Sequence, residues 1–348
     1  MPRRSPALRR AGLAALLASA LSAHAAASYP NTSGFGVDFD DREEWHRQCM
    51  RVAHLAPSRA YAAAPGAEES YTKVTARYYL KRDQVATTPR EWRQVREQAL
   101  AGRDDAVLMM LYANGYGVAR DADRAIYHAC RLNTAKAEME GRIAYLSSGA
   151  LAADTQPFDL CHHITSGRMG GVCAAIDAGR NGRVRDARLE RFAAGLPPAA
   201  RAPFAHLRKA ADAFTRASTS EVDQSGTGAA AFMSRHAEQR DEEFVQTLLN
   251  AASGRLARAN ATQFARLDRE LNAQYRRLLA TPSRNENHPK RLHFLTVTRD
   301  DVRAAERAWL AYRDAWRAYL LAAGAGKDLV AVQAELTRQR IVQLKKMQ

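Results

Sequence analysis

Apolar residues recur at intervals of three and four along nearly the whole chain, and runs of alternating β-branched residues are absent. That period places one apolar face along each of a series of helices and predicts an all-α protein. The pattern predicts a helix over residues 43–55, then a linker through PSRAYAAAPGAEE. Two helical pieces follow between Ser70 and Leu100, broken near Thr87-Thr88-Pro89. In AVLMMLYANGYGVARDADRAIYHACR an apolar helix runs into Asn114-Gly115-Tyr116-Gly117-Val118, and a second helix starts at the capping Asp121. Leu196-Pro197-Pro198 marks a further break. In the stretch around RAAERAWLAYRDAW, Val302, Ala305, Trp309, Tyr312, Trp316 and Tyr319 share one helix face. The two tryptophans are expected in a core, each burying about 150–250 Å².

The first residues predict an exported chain. Arg3, Arg4, Arg9 and Arg10 precede an uncharged stretch from Ala11 to Ala23, and Ala23-His24-Ala25 is a small-x-small cleavage pattern. The uncharged stretch is too short to cross a bilayer as a mature helix. The expected location is therefore the periplasm or the exterior, after cleavage near Ala25. Of the 52 basic residues, 48 remain once the leader is removed, against 37 acidic ones. The balance is uneven: residues 261–348 carry 17 basic and 9 acidic residues. Such a basic segment favours acidic partners, among them anionic envelope polymers. Nothing in an exported chain without a recognition motif points to nucleic acid.

Four cysteines remain, Cys49, Cys130, Cys161 and Cys173, and an even count in an oxidising compartment reads as two disulfides. Three pairings exist. A short Gly-rich stretch separates Cys161 from Cys173, which favours that bridge and leaves Cys49 with Cys130. In the chain-entropy account such a short bridge stabilises by about 3 kcal/mol. Neither the cysteines nor His162-His163 have the spacing of a metal site, and no cofactor is expected. SGRMGG (Ser166 to Gly171) and SGTG (Ser225 to Gly228) lack the strand and lysine of a phosphate loop. No nucleophile elbow or zinc-protease motif occurs, so no catalytic residue is predicted and the chain reads as a non-enzyme. Asp223 and Ser225 read as an N-cap pair, and Glu306 as a surface ion-pair partner of Arg303 and Arg307.

Two resemblances organise the rest. The spacing of Ala106, Leu111, Tyr112, Gly115, Gly117, Val118, Asp121, Ala125 and Ala129 resembles a Sel-like repeat, a relative of the tetratricopeptide hairpin, over about residues 104–135. A weaker second unit runs through 137–148. Further on, Leu271-Asn272-x-x-Tyr275 comes first, then Arg303, Arg307-Ala308-Trp309 and Tyr312-Arg313-Asp314, then Leu336-Thr337-x-x-Arg340. This order resembles the LprI-like lysozyme inhibitor family over about residues 261–348. That resemblance implies a small exported helical domain which binds and inhibits lysozyme, and makes Leu271, Asn272, Tyr275, Trp309, Tyr312, Asp314, Trp316, Thr337 and Arg340 its structural motif. The segment lacks the cysteines many members carry, so packing alone must hold it together.

A duplication is also legible. Leu207 to Phe214 echoes Val302 to Trp309 at an offset of 95, and Ala237 to Gln246 echoes Ala334 to Gln343 at 97. Residues 160–255 then read as a diverged copy. The expected organisation is a leader (1–25), a helical region with the Sel-like unit (28–155), a helical domain (156–255) and the LprI-like domain (256–348). The expected function is binding and steric inhibition of lysozyme or another wall-lytic enzyme. The expected contacts are Arg303, Arg307, Arg313 and Arg317 with the loop 281–291, while Asp314 orients Arg313. The alternatives are a repeat-type adaptor for envelope proteins and a basic polymer-binding protein.

Overall fold

The computed structural model describes residues 29–64, 70–149, 151, 155–293 and 295–347. The expected leader, residues 1–25, lies outside them. Thirteen helices and no strand occur among the described residues, so the fold is all-α.

The first seven helices form one apolar cluster. They are α1 (Glu44–Val52), α2 (Arg59–Ala62), α3 (Lys73–Arg82), α4 (Pro89–Gly102), α5 (Asp105–Asn114), α6 (Ala122–Ala129) and α7 (Lys136–Ser147). Helix α5 is apolar on every side, and every residue from Asp105 to Ala113 is buried. The others wrap around it. Its C-cap, Gly115, has φ +71°, and Gly117 has φ +68°. A β-carbon on Gly117 would come within 2.4 Å of the Trp92 β-carbon, so the turn needs glycine twice over. Tyr116, carried between them, stacks on Trp92 with ring centroids 4.7 Å apart. Cys49–Cys130 ties α1 to the end of α6. The stretch 57–69, expected as a linker, is partly structured. Ser58 caps α2, and Tyr61 is buried with its hydroxyl 2.9 Å from the Asp105 carboxylate.

Helix α8 (Gly167–Ala194) is about 42 Å long and belongs to both halves. Its start packs on the first cluster through Met169, Cys173 and Ile176, and Leu189 near its end belongs to a second cluster that runs to Met347. The Gly-rich stretch between Cys161 and Cys173 enters this helix at Gly167. A β-carbon on Gly171 would lie 2.9 Å from that of Ala230, so the glycines let the next helix pair approach closely. The Cys161–Cys173 bridge fixes the start of α8 to the preceding loop.

The second cluster adds α9 (Pro198–Ser218), α10 (Ala229–Ala252), α11 (Ala261–Ala280), α12 (Arg299–Ala322) and α13 (Leu329–Lys345). The order helix, helix, 3-10 turn, helix occurs twice, as α8–α9–219–221–α10 and as α11–α12–326–328–α13. In each set the first and third helices pair, and the middle helices α9 and α12 pack along each other. Leu207 and Phe214 on α9, like Val302 and Trp309 on α12, are buried in this joint core. Phe214 stacks on Tyr312 at 5.7 Å, and Phe204 meets Tyr319 at 5.6 Å. Trp309 and Trp316 are core residues, 2% and 0% exposed. A fragment of residues 256–348 therefore lacks the partner of its central helix. We expect it to show no cooperative thermal transition by circular dichroism, whereas residues 26–348 melt cooperatively. A sharp melt of the fragment would overturn this.

Candidate binding surface and its buried support

Helix α12 has two faces with different duties. Its inner face is the Trp309–Tyr312–Trp316–Tyr319 seam. Its outer face is a stripe at helical spacing: Arg303, Arg307, Leu310, Asp314, Arg317 and Leu321, all exposed. Leu310 is 39% and Leu321 57% exposed. The stripe is about 27 Å long, and Ala304, Ala311 and Ala318 beside it keep it flat. Arg303 pairs with Asp300 at 2.8 Å on the surface.

Arg313 is the exception among the four predicted contact arginines. It lies on the flank, 21% exposed, with its guanidinium 5.0 Å from the Trp309 ring centroid and 3.5 Å from Asp268 on α11. Asp314 does not orient it; Asp314 points to solvent on the outer stripe. The reason is the helical turn, which separates adjacent residues by 100° and gives Arg313 its partner from the neighbouring helix.

Glu306 also differs from expectation. It is turned inward, 9% exposed, and its Oε2 accepts from Arg340 Nε at 2.9 Å, so it is no partner of Arg303 or Arg307. Arg340, on α13, is 0% exposed. Its Nη1 and Nη2 donate to the two oxygens of Glu221 at 2.8 and 2.7 Å. Burial works against the arginine's charge, but the two carboxylates outweigh it and raise its pKa. Burial pushes the Glu306 carboxyl up. Glu221 sits in the 3-10 turn after α9, so the pair joins the two helix sets.

The remaining motif residues are structural in different ways. Leu271 is core, Tyr275 is half-buried, and Asn272 is exposed, bonding back to Asp268 at 2.8 Å. Thr337 is buried and donates to the Gln333 carbonyl at 2.7 Å. The loop 281–291 is mostly exposed and is held by Arg299, which donates to the carbonyls of Leu279 at 2.9 Å, Pro289 at 2.8 Å and Thr281. Asp223 and Ser225 do not cap α10. Asp223 instead accepts from the Ser225 hydroxyl and from the amide and hydroxyl of Thr296, tying two loops together.

Two other places were candidates. A groove of about 740 Å³ runs between α8, α10 and α13. Its carboxylates are matched: Glu242 with Arg188 at 2.9 Å, Glu238 with Arg185 at 3.4 Å, Glu335 with Arg338 at 2.6 Å. In the first cluster Asp105 accepts from Tyr61, from His128 Nδ1 at 2.7 Å and from Arg131 Nε at 3.1 Å, all buried. Among the described residues this histidine–carboxylate pair is enclosed by Tyr61 and Arg131, and it serves as a polar clamp. His162 and His163 stay local: the His163 ring packs against Tyr145 and Gly141. Among the described residues no group of three or more metal-ligating side chains occurs, and no helix is long and apolar enough to cross a membrane. Both disulfides form as the spacing favoured, which fits an oxidising compartment.

Sequence reasoning missed Glu221, Leu310 and Leu321. The leucines were legible, since they share the phase of Arg303 and Arg307 on a helical wheel. Glu221 was not, because nothing in SEVDQ announces a partner 119 residues away.

Two outcomes follow. Glu221→Ala leaves a buried guanidinium half compensated and should cost about 3–5 kcal/mol in urea unfolding; a loss below 1 kcal/mol would refute the clamp. The second concerns pH. Burial, reinforced by Arg240, Arg340 and Lys346, holds His236 down to about 4. The unfolded chain takes the proton first, near 6.5, so this stability is full above that pH and is lost as pH falls toward 4. Melting temperature should drop between pH 6.5 and 5, and His236→Gln should flatten the drop.

No curated protein and no solved structure matches the chain. A family model does: residues 249–344, which carry α11, α12, nearly all of α13 and the end of α10, match the family described as lysozyme inhibitor LprI.

Proposed function

We propose that this is an exported binding protein that inhibits lysozyme or a related wall-lytic enzyme by covering its cleft, with no bond made or broken. The observation that carries the reading is the match of residues 249–344 to a family described as lysozyme inhibitors. The outer stripe of α12 is the docking face this reading favours. It lies within the matched segment and combines two exposed leucines with Arg303, Arg307 and Arg317, the mix of apolar anchor and arginine that concentrates binding energy at interfaces. The loop 281–291 is its flanking element, and Arg313 supports the face from below.

Charge raises an objection, which local chemistry answers. The chain is basic overall, at +15, and a basic enzyme would be repelled at long range. A wall-cleaving glycosidase, however, flanks its scissile bond with two carboxylates. A guanidinium entering that cleft makes short, charge-assisted hydrogen bonds there. Arg307 and Arg317 suit the part, being exposed and without an ion-pair partner among the described residues. The two disulfides and the leader pattern support export, and the doubled helix order supports reading 160–255 as a diverged copy of the matched domain. The hairpins of the N-terminal half, read as Sel-like, support a second role as an adaptor.

The test is an activity assay of animal and bacterial wall-lytic enzymes with residues 26–348, at low and moderate salt. We expect inhibition that survives moderate salt, as packed interfaces do. Arg307→Glu with Arg317→Glu should weaken it at least about tenfold, while Arg93→Glu on α4 should leave it unchanged. No inhibition of any enzyme would sink the reading. Inhibition that vanishes with salt, together with retention on anionic wall polymer, would favour the polymer-binding alternative.

A further inference from the structure

The two helix sets meet along α9 and α12, whereas α10 and α13 touch only lightly. The groove of about 740 Å³ opens there, with α8 as its third wall. Its volume falls within the range of about 300–1,000 Å³ common for ligand clefts, but such clefts are mostly apolar and this one is not. Its lining has two apolar members, Val184 and Leu256. Along α10, Arg235, Gln239, Glu242, Gln246 and Asn250 recur at intervals of three and four. They form a stripe of planar polar side chains about 22 Å long.

The hydrogen bonds among these side chains fix which atoms are left over. A carboxylate only accepts, so an amide beside it must turn its NH2 toward it. Gln246 Nε2 donates to Glu242 at 2.6 Å, Gln239 Nε2 to Glu243 at 3.1 Å, and Asn181 Nδ2 to Glu238. Gln339 Nε2 donates across the joint to Thr247 Oγ1 at 3.0 Å and to Glu335 at 3.2 Å. The oxygens of these four amides accept no hydrogen bond among the described residues. Asn181, Gln239 and Gln246 are exposed, so a ligand in the groove reaches them. The two ends of the α10 stripe differ, because each has a donor to offer. Arg235 is exposed and makes no hydrogen bond or ion pair among the described residues. Asn250 accepts from Arg255 at 3.2 Å and keeps its NH2. Each glutamate of the groove already holds a guanidinium: Glu238 that of Arg185 at 3.4 Å, Glu242 that of Arg188 at 2.9 Å, Glu243 that of Arg240 at 2.7 Å and Glu335 that of Arg338 at 2.6 Å. An added cation meets arginines in place, and an added anion meets a row of oxygens. A hydroxyl, which donates and accepts at once, suits both kinds of wall.

We infer that this groove binds an uncharged oligosaccharide. Neighbouring hydroxyls donate to the amide oxygens of Asn181, Gln239, Gln246 and Gln339 and accept from Arg235 and Asn250, while Val184 meets an apolar ring face. The side chains are already held by one another, so binding costs little further rotamer freedom. An extended peptide also both donates and accepts, but it needs pockets for alternate side chains, and a lining with two apolar residues does not supply them. The Gln339–Thr247 bond places the ligand across the joint of the helix sets, so binding stabilises that joint. The inference does not rest on the lysozyme reading and stands if that reading fails.

The experiment is a calorimetric titration of residues 26–348 with chitotetraose, cellotetraose and maltotetraose, with spermidine, inorganic phosphate and tetraglycine alongside. We expect at least one tetrasaccharide to bind with Kd below about 1 mM. Its affinity should hold within about twofold between low and moderate salt, because no charge is exchanged. Spermidine, phosphate and tetraglycine should bind at least about tenfold more weakly. Gln239→Ala with Gln246→Ala removes two exposed amides and should weaken the sugar at least about tenfold, while Arg93→Glu on α4 leaves it unchanged. If the double variant does not fold, Val184→Trp decides, since it fills the groove from an exposed position and should cause the same loss. No tetrasaccharide binding at millimolar concentration would overturn the assignment. So would spermidine, phosphate or tetraglycine binding as tightly as the sugar, a sugar affinity that collapses with salt, or full affinity in a folded groove variant.

Discussion

A fully buried arginine cannot exist without acids to meet it, and Arg340 meets two that come from different parts of the chain. Glu306 is supplied by α12 within its own helix set. Glu221 is supplied by the turn after α9, outside the stretch that matches the inhibitor family. Taking one guanidinium and two carboxylates out of water is expensive, and the cost is offset only if all three arrive together. The clamp therefore makes the two helix sets one folding unit. It also explains why the matched segment does without internal disulfides: the α9–α12 seam and the clamp do the joining.

That joint decides what is left for function. With its inner face committed to Phe214, Phe204 and the tryptophan seam, α12 can offer a partner only its outer stripe. Arg303, Arg307 and Arg317 fall there by helical phase, and Arg313 does not. A rigid helix backed by a full core presents such side chains with little loss of freedom on binding, which favours recognition over chemistry. The N-terminal cluster is built on the same plan with different means. There, Asp105 gathers Tyr61, His128 and Arg131, and a disulfide replaces the long helical seam. Helix α8 joins the clusters because its glycines let α10 lie against it.

The legible part of this protein was local. Period and breaks located many of the helices, as at Thr88 before Pro89 and at Gly115 after α5. Cysteine count and spacing favoured the bridges that form. The motif around Trp309 located the segment that matches the inhibitor family. Errors arose where a residue's neighbour was distant. Glu306 read as a surface partner of Arg303 because sequence distance was the only distance in view. The glycines before Cys173 gave no helical signal because nothing showed the helix that needed to come close to them. Asp223 read as a cap because its partner Thr296 is 73 residues away.

The amino-acid order by itself determined an all-helical chain, the phase of α12, a core seam through both C-terminal tryptophans and two disulfides. These follow from short-range periodicity and composition, which act within a few residues of their cause. Only the tertiary structure decided which face of α12 meets water and which acids hold Arg340. Those are long-range pairings. Burial sets their energies, and burial belongs to the packed molecule as a whole.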